Sequence, residues 1–230
     1  MPRRARLLLP GVPLHLIQRG NNRSACFYAD EDYLFYLDNL KLQAEQHGCA
    51  VHAWCLMTNH VHLLVTPSKP ESASLMMKGL GQRFVQYINR TYDRSGTLWE
   101  GRFRSCLLQQ EDYVLACYRY IEMNPVRAGM VEHPAEYRWS SYGANAHGLP
   151  SAIIEANPLY TQLGETADLR ASAYRELFRY QLDPGLVDQI RSATNGNYAL
   201  GNARFASEIE QALGRRAVRG KAGRPKRSCS

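Results

Sequence analysis

No stretch of this 230-residue chain is apolar for long enough to be a membrane span or a secretory leader. The basic start Met1-Pro2-Arg3-Arg4 is followed by only three leucines, Leu7 to Leu9, before Pro10. The six cysteines, Cys26, Cys49, Cys55, Cys106, Cys117 and Cys229, include no Cys-x-x-Cys pair, so reduced thiols in a cytoplasmic protein are expected rather than a disulfide framework. No internal repeat appears, which sets aside solenoid architectures. Acidic residues are absent from the end of the chain: Gly214 to Ser230 holds seven basic residues and no Asp or Glu. Residues 1–213 carry 21 charges of each sign, so the whole net charge of +7 lies in that tail. A basic block interspersed with Gly and Pro suits phosphate neutralisation, although basic tails also serve solubility alone. Within it, Gly223-Arg224-Pro225-Lys226-Arg227 looks like the minor-groove hook of some chromatin proteins.

What is present is enough for a packed interior. Hydrophobic residues make up 45% of the chain and aromatics 10%, with 14 Tyr, which is globular composition. The length allows one domain of about 150 residues and something smaller.

Pro13 to Gln18 reads as a first strand, ending at the turn-forming Arg19-Gly20-Asn21-Asn22-Arg23. Asp30, Glu31 and Asp32 open an amphipathic helix that stops near Gly48. Cys49 to Met57 and His60 to Thr66 are apolar strands separated by Thr58-Asn59, the spacing of a tight hairpin. Helical periodicity returns from about Ser72 to Tyr92. Leu98 to Leu108 has strand composition, and Glu111 to Asn124 is a helix ended by Pro125. This order predicts an α+β fold, a ferredoxin-like split βαβ antiparallel sheet with helices on one face. Three helical stretches follow at roughly 165 to 181, 184 to 193 and 202 to 213. The expected organisation is a main domain over 1–145, a helical region over 150–213 and a basic tail over 214–230.

Chemistry-bearing residues concentrate in two places. His60 and His62 are two residues apart on a strand, so they project from one face about 7 Å apart, as two nitrogen ligands of a divalent ion would. A histidine pair in an apolar strand is equally the pattern of satisfied core residues. On the later helix, at about 100° per residue, Tyr113, Tyr120 and Asn124 fall within about 40° of one another. Tyr120 and Asn124 are direct neighbours at i, i+4. If their face meets the histidines, the Asn124 amide oxygen can complete a metal site beside a phenol. The same spacing fits a tyrosine at the helix rim and an asparagine that only caps the helix before Pro125.

Four segments carry a resemblance. Leu56-Met57-Thr58-Asn59-His60-Val61-His62-Leu63-Leu64-Val65, Arg19-Gly20-Asn21-Asn22-Arg23, Leu98-Trp99-Glu100-Gly101-Arg102-Phe103-Arg104 and Tyr118-Arg119-Tyr120-Ile121-Glu122-Met123-Asn124-Pro125-Val126-Arg127-Ala128-Gly129 together resemble the single-tyrosine HUH transposases. More narrowly, they resemble the REP-associated tyrosine transposases, which act on repetitive extragenic palindromes. The likeness runs from about residue 10 to Tyr142. It implies His60 and His62 as metal ligands, Asn124 as the third, Tyr120 as nucleophile and Mg²⁺ or Mn²⁺ as cofactor. It also implies a metal-dependent endonuclease and strand transferase acting on hairpin-bearing single-stranded DNA through a 5′-phosphotyrosine.

For such a substrate, Arg83, Arg90, Arg102 and Arg104, with Trp99 and Phe103 between them, suit phosphate contact and base stacking. The two aromatics are equally core residues, and Arg83 and Arg90 equally a solvated helix face. Arg19, Asn21, Asn22 and Arg23, in a loop that brings backbone close to a ligand, are further DNA-binding candidates, as are Arg215, Arg216, Arg224, Lys226 and Arg227 of the tail. The expected location is the cytoplasm, at the nucleoid, as monomer or homodimer, with no membrane and no nucleotide cofactor. Two other readings stay open: the transposase of a mobile insertion element with the same chemistry, and a DNA-binding protein on this fold that does not cut.

Overall fold

The computed structural model describes residues 4–220. Its scaffold is β1 (Leu14–Arg19), α1 (Asp30–His47), β2 (Cys49–Met57), β3 (His60–Pro67), α2 (Ser72–Thr91), β4 (Arg104–Leu108) and α3 (Gln110–Glu122). The acidic first turn of α1 caps itself: Asp32 Oδ2 accepts from the backbone N–H of Tyr28 at 2.7 Å and of Ala29 at 3.1 Å. Gly48, at φ 63°, ends that helix in the left-handed region that favours glycine. Thr58-Asn59 joins β2 to β3 as a two-residue hairpin, with Met57 opposite His60.

The sheet order is β2-β3-β1-β4-β5, where β5 (Ala199–Leu200) pairs parallel with β4 and the other pairs are antiparallel. The α+β class and the antiparallel core are those of the expected motif. The helices, however, cover both faces, not one. Every residue of β2 from Val51 to Met57 is buried, and strands apolar on both sides have to be covered on both. Leu14, Leu16, Val61, Leu63 and Val65 pack beneath α1 and α2 with Tyr36, Leu40, Leu80 and Phe84. Ala53, Cys55, Leu64 and Cys106 face α3, with Val114, Cys117 and Ile121, and α8 (Pro184–Gly196), with Val187 and Ile190. Burying each such branched aliphatic side chain contributes roughly 1.5–3 kcal/mol.

The expected strand over 98–108 is shorter. Trp99 makes only an isolated bridge with Gly20. Gly101, at φ 134°, then takes the chain out of the ladder, and pairing resumes at Arg104. Pro125 does end α3, but it also starts α4 (Asn124–Arg127), a further turn with proline near its N-terminus. Beyond it, α5 (Tyr142–His147), α6 (Pro158–Thr161) and α7 (Ala167–Glu176) lead to α8, and α9 (Ala203–Leu213) follows β5. Asp183 caps α8, accepting from Leu186 N at 2.9 Å, and Asn197, at φ 54°, closes it.

Candidate active site

Antiparallel register sets the first half of the site. His60 lies opposite Arg19 and His62 opposite Ile17 of β1, with Met57 and Cys55 opposite them on β2. Both imidazoles therefore share the sheet face that α3 and α8 cover, with ring centroids 5.0 Å apart. Tyr120 meets them from α3, its ring edge-on to His62 at 5.8 Å and to His15 at 5.6 Å. Of the neighbouring tyrosines, Tyr118 points into the helical core against Tyr160 and Tyr174, and Tyr113 lies near the start of α3.

The hydrogen-bond partners decide which nitrogen of each histidine is free. His60 Nδ1 lies 2.6 Å from Asn59 Oδ1. An amide oxygen only accepts, so Nδ1 carries the proton and Nε2 keeps its lone pair. His62 is fixed from farther away. Thr194 of α8 donates its hydroxyl to Ile190 O at 2.8 Å, so its Oγ1 accepts from His15 Nδ1, also at 2.8 Å. His15 Nε2 is then an acceptor, and His62 Nδ1, 2.9 Å away, must donate to it. That leaves His62 Nε2 unprotonated as well.

Electrostatics agree. Burial holds His15 down at about 3 and His60 at about 4, and it pushes His62 well below the ordinary imidazole value, with the neighbouring histidines and Arg127 adding to the effect. Neutral imidazoles with bare Nε2 atoms are what a divalent cation requires of its nitrogen donors. Asn124 turns its Nδ2 to the carbonyls of Tyr120 and Ile121, both at 3.1 Å, leaving Oδ1 as its uncommitted oxygen. No group of three His, Cys, Asp or Glu able to hold a metal occurs among the described residues. Two neutral imidazoles and an amide oxygen are donors whose chemistry suits a divalent ion.

Two guanidiniums attend the phenol. Arg127 of α4 stacks its Cζ 4.3 Å over the Tyr120 ring and donates to the Tyr120 carbonyl. Arg191 of α8 lies close enough to the phenol for its charge to act on it. Burial raises the pKa of Tyr120, and both arginines oppose that shift. The ring is only 4% exposed.

The other candidates are spread more widely. Asn21 to Arg23 form a 3₁₀ turn in which Asn22 (φ 51°) and Arg23 (φ 59°) are left-handed. Asn59 ties that turn to the histidine face: its Nδ2 donates to Arg23 O at 3.0 Å, and its carbonyl accepts from Gly20 N at 2.8 Å. A Cβ at Gly20 would collide with Ser24 O and Cys26 Sγ, so only glycine permits this approach. Arg19, Arg102 and Arg104 line a small cleft beside Ile17, and Arg104 donates to Asn195 Oδ1 at 2.9 Å. Trp99 is buried against Phe84, under α2. Arg83 and Arg90 are exposed on α2, across the sheet from the histidines, and are not brought to the site. Arg215 and Arg216 are exposed after α9; Arg224, Lys226 and Arg227 lie outside the described residues.

The sequence reading missed His15, Asn59, Arg127, Arg191 and Thr194. His15 had a usable signal, since it alternates with Ile17 onto the histidine face. The two α8 residues had none, because nothing local places them beside β1.

The sheet and the helices on it are the fold of the single-tyrosine transposases. A model of the "Transposase IS200 like" family matches residues 10–124, half of the chain, and the chain belongs to that family, whose members are tyrosine transesterification enzymes. A protein of Haemophilus influenzae (strain Rd), named provisionally as a REP-associated tyrosine transposase, is 25% identical over 112 residues, covering 44% of this chain. The match spans 64% of that relative's length. A solved structure of a REP-associated tyrosine transposase bound to a REP hairpin aligns with a TM-score of 0.56 at 18% identity, over 68% of this chain and 93% of the other, a likeness of fold. No helix among the described residues is long and apolar enough to cross a membrane.

Proposed function

We propose that this chain cuts and rejoins single-stranded DNA at hairpin-associated sites, of the repetitive extragenic palindrome kind, through a covalent 5′-phosphotyrosine at Tyr120. The observation that carries the reading is the Tyr120 ring set edge-on to His62, on the face where His60 and His62 both keep a bare Nε2. The names of the curated relative and of the DNA-bound structure point the same way.

His60 and His62 through Nε2, with Asn124 through Oδ1, are the residues that would hold Mg²⁺ or Mn²⁺. Such an ion, when bound, supplies Lewis-acid polarisation of a non-bridging phosphate oxygen. The Tyr120 oxygen attacks phosphorus in line. A Tyr120 O–P bond forms, the bond to the departing 3′-oxygen breaks, and the phenol proton leaves to solvent. Arg191 and Arg127 oppose the burial that disfavours phenolate, which aids that proton's loss. The energy of the phosphodiester stays in the phosphotyrosine, so a second 3′-hydroxyl reverses the step and seals the strand without a nucleotide cofactor. In-line attack from a packed helix face requires a splayed backbone, hence a single strand. Arg19 and Arg23, in the turn that Asn59 anchors beside His60, are the contacts proposed for its phosphates, with Asn21 and Asn22.

The test is incubation of full-length protein with hairpin-bearing single-stranded oligonucleotides and Mn²⁺, followed by denaturing electrophoresis. Wild type should form a covalent protein–DNA adduct and Tyr120→Phe none. An adduct that persists in Tyr120→Phe refutes the assignment of the nucleophile. A wild type that binds hairpins tightly and cuts nothing favours the non-cleaving DNA-binding reading instead.

A further inference from the structure

On the sheet face opposite the histidines, a groove of about 780 Å³ runs between α2 and residues 97–103, within the size range of small-molecule sites. Two polar atoms at it have no hydrogen-bond partner among the described residues: Trp99 Nε1, a donor, and Gln18 Oε1, an acceptor. Both residues are more than nine-tenths buried, at 5% and 8% exposed. Leaving buried donors and acceptors unpaired costs stability, so such a pair at an open groove points to a ligand that completes it. Gly81 keeps the way clear. A Cβ there would lie 3.8 Å from Trp99 Nε1 and 3.9 Å from Gln18 Nε2, so any longer side chain would fill the space over those atoms.

The charges say what kind of ligand. Arg6, Lys78 and Arg102 line the groove, and none of the described residues lining it is acidic. Arg6 is held by stacking 3.8 Å over the Phe103 ring. Its pKa is lowered, first by burial and then by Arg102, so two guanidiniums are close enough to repel each other. Aromatic walls, an unpaired donor and acceptor, and paired cations together match a flat heteroaromatic ring attached to a phosphate.

Gly101 and Arg102 also line the cleft on the other face beside Ile17 and Arg19, and Ile17 is the register partner of His62. A chain laid over residues 101–102 thus passes from the groove to the histidine face.

We propose that this groove takes one unstacked nucleobase of the substrate strand, its edge bonded to the Trp99 indole N–H and the Gln18 carbonyl oxygen, and its phosphate held by Arg6 and Arg102. It is a base-reading subsite, and it rests on the single-strand nuclease reading given above. On its Watson–Crick edge every unpaired base offers an adjacent acceptor and donor, so the position that is read, rather than a particular base, is what the geometry predicts.

The test uses full-length protein and hairpin oligonucleotides with single-stranded flanks in which each flank position in turn is made abasic or changed to each base. Affinity is read by fluorescence anisotropy and the covalent adduct by gel. In wild type, one flank position should lose at least tenfold in affinity when abasic. That penalty should vanish in Gly81→Leu, a substitution that favours the helix, with folding checked by thermal unfolding. Trp99→Phe, which keeps an aromatic wall and removes the N–H, should reduce the abasic penalty at the same position and at no other. An unchanged positional penalty in Gly81→Leu overturns the subsite, as does a wild type that forms the adduct with no base-sensitive flank position. A wild type that neither binds nor forms an adduct overturns the nuclease reading itself, and the subsite with it.

Discussion

Replacing Thr194 by valine keeps the shape of the side chain and removes only its hydroxyl, yet the effect should be read at a histidine with which it has no contact. In the native chain the Thr194 hydroxyl donates to Ile190 O and accepts from His15 Nδ1, and that fixes the proton on His62 Nδ1. In Thr194→Val the His15 Nδ1–H loses its acceptor in a site that is 1% exposed. A buried donor without a partner costs about 1–3 kcal/mol. The imidazole escapes that cost by moving its proton to Nε2, which forces His62 Nδ1 to accept and moves the His62 proton to Nε2, the atom offered to the metal. The proton then sits on the atom proposed as the metal ligand. At about 1.4 kcal/mol per decade, Mn²⁺ affinity should fall roughly 5- to 100-fold, the range typical of lost support behind a metal-bound histidine. Calorimetric titration of the DNA-free protein with Mn²⁺ measures this, alongside the thermal midpoint. Thr194→Ser, which restores the hydroxyl, should recover native affinity. If Thr194→Val is destabilised but binds Mn²⁺ as wild type does, the relay plays no part in presenting His62 and the tautomer argument is wrong.

Three further outcomes can be checked. Asn59→Ala removes both the acceptor for His60 Nδ1 and the donor to Arg23 O; Mn²⁺ affinity should drop by roughly tenfold, and limited proteolysis should find residues 20–24 newly susceptible, whereas native protection would contradict the anchoring role. Glu122, whose buried carboxyl is pushed up to about 7 by desolvation, accepts from Ser141 Oγ at 2.6 Å, Asn145 Nδ2 at 2.7 Å and Tyr174 OH at 2.7 Å; Glu122→Leu should cost about 3–5 kcal/mol in urea denaturation by stranding these donors, and a loss under 1 kcal/mol would show that the network repacks. His52 is held below its ordinary pKa of 6.5 by burial while donating from Nδ1 to Glu155 O at 2.6 Å. Its folded-state pKa lies below the unfolded one, so its contribution is complete above about pH 6.5 and is lost as pH falls below that value, by up to about 1.4 kcal/mol per pH unit; wild type should therefore lose stability relative to His52→Gln on acidification, and parallel curves would refute this.

What could be read from the chain followed the range of the interactions involved. The His60/His62 face follows from period-two alternation, and the pairing of Tyr120 with Asn124 from helical spacing, because both are local regularities. The two-sided covering of the sheet was also written locally: the unbroken burial from Val51 to Met57 is the mark of a strand packed on both faces, and an alternating reading passes over it. The shortened β4 turned on Gly101, whose left-handed φ outweighs the strand-like aromatics around it. Thr194 and Arg191 carried no signal at all. Their partners lie 179 and 71 positions away in the chain, at His15 and Tyr120, and only the docking of α8 on β1 and β4 makes them neighbours.

That difference in range has a consequence for how the site is assembled. His60 is oriented by the residue beside it, as soon as the Thr58-Asn59 hairpin closes. His62 is oriented through His15 by a helix outside the matched region 10–124. The two imidazoles are thus oriented by contacts of very different range, one local and one 179 positions long. A chain with α8 undocked would keep the sheet register that places both imidazoles on one face, and Arg127 on the Tyr120 ring, yet would lose the acceptor that fixes the second tautomer and the nearby charge of Arg191. The helical region after residue 150 therefore reaches the proposed site: it brings the Arg191 charge near Tyr120 and supplies the far end of the chain that leaves His62 Nε2 bare.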